Sequence, residues 1–224
     1  MTNRAKLGFS ALAAAAAIAL PLTVSWRRSA EAASDVPPAA LVEPAKGHRE
    51  VAVLAGGCFW GVEGVYEHVK GVSDVTSGFA GRQAAGADYE KVSTGTTGNA
   101  EAVRIVFDPT QVRFSELLRI FFSVAHDPTE VNRQGPDVGT QYRSAIFPQS
   151  PAQMKVAKAY IAQLQKAHVF KQPIATRIEI GGFAPAEAYH QDFMRKNPNY
   201  PYIVINDRPK VAALKQQFPS NWKG

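Results

Sequence analysis

Residues 50–71 read EVAVLAGGCFWGVEGVYEHVKG, and the hydrophobic period changes within them. Glu50 to Ala55 is a short apolar run of strand length. Beyond it, Phe59, Val62, Tyr66 and Val69 recur three or four residues apart until Gly71 can end a helix. Gly56, Gly57 and Cys58 fall at the switch. The spacing therefore places Cys58 just past a strand end and at the start of a helix.

Outward from this unit, strands are expected near Val75 to Phe79, at Ala100 to Phe107, where the character alternates, and at Ala175 to Ile180. Helices are expected over Ser115 to Val124, Pro185 to Lys196 and Lys210 to Phe218. Another should open at Ser150-Pro151-Ala152-Gln153 and run to about His168. There Ser can cap, Pro suits the first helical position and Gln sits where a capping box places it. Strands and helices mix without a regular βαβ repeat. The expected fold class is α+β: a two-layer domain with helices packed on a mixed sheet.

A chain of 224 residues, 46% hydrophobic and 20% charged, can bury one substantial core. Leu7 to Val24 is apolar and uncharged, follows Arg4 and Lys6, and precedes Ala30-Glu31-Ala32, the order of a secretory signal. Its length of about 18 residues also meets the lower limit of a membrane span, so residues 1–32 are expected to be a signal peptide or an N-terminal anchor. Residues 33–47, rich in Ala and Pro without periodicity, read as a linker, and the folded domain is expected over 48–224. The protein is then exported, periplasmic, and membrane-attached only if the leader is retained. Setting aside residues 1–32, with four of the 25 basic and one of the 19 acidic residues, lowers the formal charge from +6 to +3. That leaves little support for a nucleic-acid-binding face. Nothing in the sequence suggests more than a monomer.

Cys58 is the sole cysteine, which excludes an internal disulfide, a CxxC motif and a four-ligand cysteine zinc site. The thiol is either buried and inert or at work. A helix start favours the thiolate, but only by ~0.3–2 kcal/mol, at most about 1.5 pKa units from ~8.5. The expectation is a primed thiol. Phe59 and Trp60, directly after it, are either core packing or the wall of an apolar pocket, and Trp60 suits the pocket better.

The run from Gly56 to Glu63 resembles the signature of A-type peptide methionine sulfoxide reductases. Further motifs match in chain order: Asp88-Tyr89-Glu90-Lys91-Val92, Thr97 to Val103, His126-Asp127-Pro128, and Asn132 to Ser144. The likeness extends over roughly Glu50 to Phe218. It implies a ferredoxin-like core and reduction of the S epimer of methionine sulfoxide, bound in peptides or free, without metal or tightly bound cofactor. Carried over by position, it makes Cys58 the nucleophile and Glu101 the acid that protonates the sulfoxide oxygen, assisted by Tyr89 and Tyr142. Phe59 and Trp60 would cradle the substrate methyl group, and Asp137 would lie on the substrate-binding side. Without the motifs these residues have plainer readings: a strand Glu on a solvated face, Tyr in packing, Asp in a turn.

The chemistry asks for the same residue types. A sulfoxide sulfur becomes electrophilic when its oxygen receives a proton or strong hydrogen bonds. For Glu101 to donate near pH 7, its pKa must rise about three units, which only a desolvated position in the pocket floor can supply. Attack by Cys58 would leave a sulfenic acid. Many family members capture this with resolving cysteines, whereas Tyr189 to Gly224 contains none. The implied reductant is an external thiol, a thioredoxin-like protein or a small molecule, and the implied partners are oxidised proteins. Two rival readings remain open: a thiol peroxidase, and a non-catalytic module that recognises oxidised proteins.

Overall fold

The computed structural model describes residues 36–224, and the expected leader lies outside them. The strands and helices, in chain order, are β1 (Glu50–Gly56), α1 (Phe59–Glu67), β2 (Val72–Gly81), α2 (Tyr89–Ser93) and β3 (Ala100–Phe107). Next come α3 (Phe114–Ile120), β4 (Arg133–Gln134), β5 (Asp137–Val138), β6 (Ser144–Phe147) and α4 (Pro151–Lys166). The chain closes with β7 (Arg177–Ile178), β8 (Gly182–Pro185), α5 (Phe193–Lys196) and α6 (Arg208–Gln217).

Six strands form one sheet in the order β7-β6-β1-β3-β2-β8, while β4 and β5 pair separately. The inner four, β6-β1-β3-β2, are antiparallel throughout. With α1 between β1 and β2, and α3 between β3 and β6, this is the ferredoxin-like βαββαβ pattern. The parallel β6–β7 pair makes the sheet mixed, as the α+β reading requires.

Strand periodicity decides where Glu101 goes. Val103, Ile105 and Phe107 join the main core with α1, α3 and α4, while Ala100 and Ala102 join a smaller cluster with Val53, Ala55 and Phe147. Side chains alternate between faces along a strand. Glu101 therefore shares the helix-covered face with Val103 and Ile105 instead of facing solvent.

The linker expectation is corrected from Val36 onward. Arg119 Nε donates to the Val36 carbonyl (2.9 Å), Tyr160 Oη to that of Pro37 (2.6 Å) and Gln163 Nε2 to that of Pro38 (2.9 Å). Glu43 is buried, and its carboxylate accepts the Ser115 N–H at 3.3 Å, capping α3 where Arg113 supplies no side-chain cap. Low periodicity concealed a strap secured by main-chain carbonyls.

α4 opens as its cap predicts: Ser150 Oγ accepts from Gln153 N (3.2 Å), and Gln153 Oε1 accepts from Gln149 N (2.9 Å). The expected helix over Ser115 to Val124 is instead α3 followed by a wider π-helical turn, Phe121–Ala125. The expected helix over Pro185 to Lys196 is broken. Glu187 has ψ 153° and Asp192 sits at φ +55°, so only a 3-10 turn (Ala188–His190) and the one-turn α5 remain.

Candidate active site

β1 delivers the chain to Gly57, which has φ +89° and packs so closely on Gln134 that a Cβ would lie 2.4 Å from its Cγ. Gln134 is itself immobilised, accepting from Asp127 N (3.0 Å) and donating to Asp127 O (2.9 Å). Behind the turn, His126 stacks on Phe121 with centroids 3.9 Å apart. Its two ring nitrogens contact the Phe121 carbonyl (3.0 Å) and Ser144 Oγ (2.7 Å). The turn sets Cys58 at the N-cap of α1, 8% exposed.

The thiol is not primed as expected. Burial pushes Cys58 well above the usual thiol range, and the charges of Glu101 and Asp207 push it further. The Trp60 N–H and Lys210 oppose them without prevailing. The helix start acts in the anticipated direction, but desolvation by the surrounding core is larger.

Glu101 is 2% exposed, and its Oε2 accepts the Phe59 N–H at 3.1 Å. Burial raises its pKa to about 8 against the lowering effect of that hydrogen bond, and Asp137 adds a further rise. A carboxyl group at this position is largely protonated at pH 7. Tyr89 and Tyr142 are both half-buried and both feel the charges of Glu101 and Cys58, which together with burial raise their phenols. Asp88 caps α2 by accepting Lys91 N (2.9 Å), and the Tyr89 N–H donates to Glu187 Oε1 (2.9 Å), fixing the start of that helix. The fold thus gathers Cys58, Glu101, Tyr89 and Tyr142.

A small hollow opens at Cys58, walled among others by Asp137, Tyr202, Asn206 and Lys210. Glu101 is buried, as its chemistry demands, but does not form part of that wall. Asp137 is half-buried with a raised pKa and accepts a hydrogen bond from Tyr202 Oη.

Trp60 is partly exposed and stacks on Phe193, with centroids 3.8 Å apart at 8°. Tyr202 (6.0 Å) and Tyr200 (6.3 Å) meet it edge-on, and its Nε1–H donates to His190 Nδ1 at 3.2 Å. Phe59 is fully buried against Phe79 and His190, so its ring backs the site from within the core.

Sequence reasoning missed His190, Tyr202, Asp207 and Lys210. The last three come from one stretch, where the sequence predicts only a helix over Lys210 to Phe218; Asp207, just before α6, makes no side-chain cap bond.

A lone thiol, a carboxyl group held largely protonated and two half-buried phenols are a set that a thiol-dependent oxidoreductase can use. Residues 50–222 match the profile of the family "Peptide methionine sulfoxide reductase". The chain belongs to that family, in its A type. It is 58% identical over 172 residues to peptide methionine sulfoxide reductase MsrA 2 of Mesorhizobium japonicum, spanning 76% of this chain and 88% of that protein. Among solved structures, it resembles reduced Mxr1 of Saccharomyces cerevisiae, with TM-score 0.61 and 33% identity over 71% of this chain and 93% of that one. It also resembles methionine sulfoxide reductase A of Corynebacterium diphtheriae, with TM-score 0.58 and 31% identity over 77% and 92%.

Proposed function

We propose that the chain reduces the S epimer of methionine sulfoxide in oxidised proteins, with Cys58 as nucleophile and Glu101 as proton donor. The observation that carries this reading is the buried, largely protonated Glu101, tethered through the Phe59 amide to the residue next to the sulfur. Glu101 protonates the sulfoxide oxygen while Tyr89 and Tyr142 donate hydrogen bonds to it, and Cys58 Sγ attacks the sulfoxide sulfur. The sulfur–oxygen bond of the substrate and the transient sulfur–sulfur bond then break as the oxygen bonds to Sγ: methionine leaves reduced, Cys58 becomes a sulfenic acid, and the proton of the thiol replaces the one given by Glu101. Trp60, braced by Phe193 and met edge-on by Tyr202, bounds the place for the substrate's methyl group, and Asp137 with Tyr202 walls the hollow at Cys58.

With one cysteine in the chain, the sulfenic acid is reduced by an external thiol, a thioredoxin-like protein or a small molecule. The first thiol forms a mixed disulfide and releases water; the second forms its own disulfide and returns Cys58 as a thiol. A thiol peroxidase would oxidise Cys58 far faster with peroxide than with methionine sulfoxide, and stopped-flow kinetics with the two oxidants separate the readings. The order of residues 1–32 supports an exported, periplasmic repair role, tested by the mass of the mature chain. The enzymatic reading is tested with dithiothreitol and resolved epimers of a methionine sulfoxide peptide. Methionine should form from the S epimer alone; no methionine from either epimer refutes it.

A further inference from the structure

Two charged side chains beside Cys58 take no part in the proton transfer above. Asp207 ends a π-helical turn, Ile203–Asp207, and Lys210 lies three residues on in α6. Asp207 is 0% exposed; its Oδ1 accepts from Lys210 Nζ at 3.1 Å, and its Oδ2 is buried with no hydrogen-bond partner among the described residues. The pair is admitted by Gly61, where a Cβ would lie 2.2 Å from Asp207 Oδ1 and 2.8 Å from Lys210 Nζ. Gly61 is three residues past the nucleophile on α1, and Lys210 walls the same hollow as Cys58. A buried ion pair is a weak stabiliser of a fold, often matched by apolar residues of the same volume. Its placement against the nucleophile's own helix needs another account.

We propose that Lys210, positioned by Asp207, is the counter-charge of the Cys58 thiolate, and that the two residues act on the sulfur in opposite directions. The inference rests on the thiol chemistry proposed above and adds what sets the sulfur's charge. Burial and the charges of Glu101 and Asp207 favour the thiol; Lys210 and the Trp60 N–H favour the thiolate. The phenols of Tyr89, Tyr142 and Tyr202 feel the sulfur, and Asp137 lines the same hollow. His126, which also feels Lys210, is held neutral by burial. The thiolate is required at two points of the cycle. Cys58 must become nucleophilic toward the sulfoxide, and it must later leave the mixed disulfide with the bonding pair when the second external thiol attacks. A cation in the hollow lowers the cost of both steps, while Asp207 keeps that cation in place and tempers it.

The test is the pH dependence of Cys58 alkylation by iodoacetamide in the intact protein, where one cysteine gives an unambiguous signal. Lys210→Met should move the rise in rate to higher pH and slow alkylation at least threefold at pH 8. Asp207→Asn, which keeps the shape but removes the charge, should move it to lower pH and accelerate alkylation at least threefold. Lys210→Arg should restore the wild-type curve. A merely structural pair would shift both variants in one direction or neither, and either result overturns the proposal. If Asp207→Asn does not fold, Met against Arg at position 210 decides: equal curves overturn it. Alkylation involves no sulfoxide, so opposed shifts without methionine formation would refute the reductase reading and leave the ion pair's role intact.

Discussion

The main-chain amide of Phe59 donates to Glu101 across 3.1 Å, so the residue that begins α1 also holds the acid that β3 supplies. Cys58 and Glu101, the proposed nucleophile and acid, belong to different layers of the fold, and this hydrogen bond joins them. It favours the carboxylate, yet burial outweighs it and leaves the acid with its proton.

Glu101→Ala should lower kcat by about 10²–10⁴, the range expected for losing a positioned general acid. Glu101→Gln, which can still donate a hydrogen bond, should cost roughly tenfold or less. Wild-type turnover should fall as pH rises through about 8, where Glu101 loses its proton, and the Gln variant should lack that limb. Steady-state kinetics from pH 6 to 10 check both statements. Equal rates for wild type and Glu101→Ala would remove Glu101 from the mechanism.

The same residue should weaken the fold. Its pKa rises from 4.5 unfolded to about 8 folded, so between those values the native state binds more protons than the unfolded chain. Stability then falls as pH rises through this window and levels off above 8, a cost on the order of 5 kcal/mol at about 1.4 kcal/mol per unit. Glu101→Gln should match wild type in urea unfolding near pH 4 and exceed it near pH 9.

Phe193→Ala removes the ring stacked on Trp60 and should raise KM several-fold while leaving kcat within about threefold. An aromatic pair of this kind is worth about 0.5–1.5 kcal/mol beyond its buried area. A fall in kcat at constant KM would mean that Trp60 serves the chemical step instead of substrate placement.

The readable part of this molecule was local. The change of period at residues 55–59 located Cys58, the alternation in β3 matched Ala100–Phe107, and Ser150 announced α4. Glu101 was legible as an acid through its motif, but its inward orientation depended on which face of β3 the helices cover, a tertiary fact. Lys210 and Asp207 were hidden because their neighbour is Gly61, about 150 residues earlier in the chain. Pro185 to Lys196 read as one helix; Asp192 at positive φ breaks it and turns the same residues into the brace for Trp60. The strap after Val36 had no periodicity to read, since its carbonyls do the binding.

Glu43→Ala should reveal that strap by costing about 1 kcal/mol of stability, the usual loss of a helix cap, with kcat unchanged. Paired denaturant unfolding and activity assays check it. An unaltered unfolding curve would show that the Ser115 amide finds another acceptor.

The imidazole behind Gly56 has a consequence for acid tolerance. Burial depresses His126 to about 4, so from about pH 6.5 down to about 4 the unfolded chain takes up a proton that the folded one refuses, and this ring withdraws stability across that window. Glu101 works the other way, since its raised pKa lets the folded chain hold a proton that the unfolded one takes up only near 4.5. Through mild acid the two groups offset one another: what the seat of the reactive turn loses, the buried carboxyl returns.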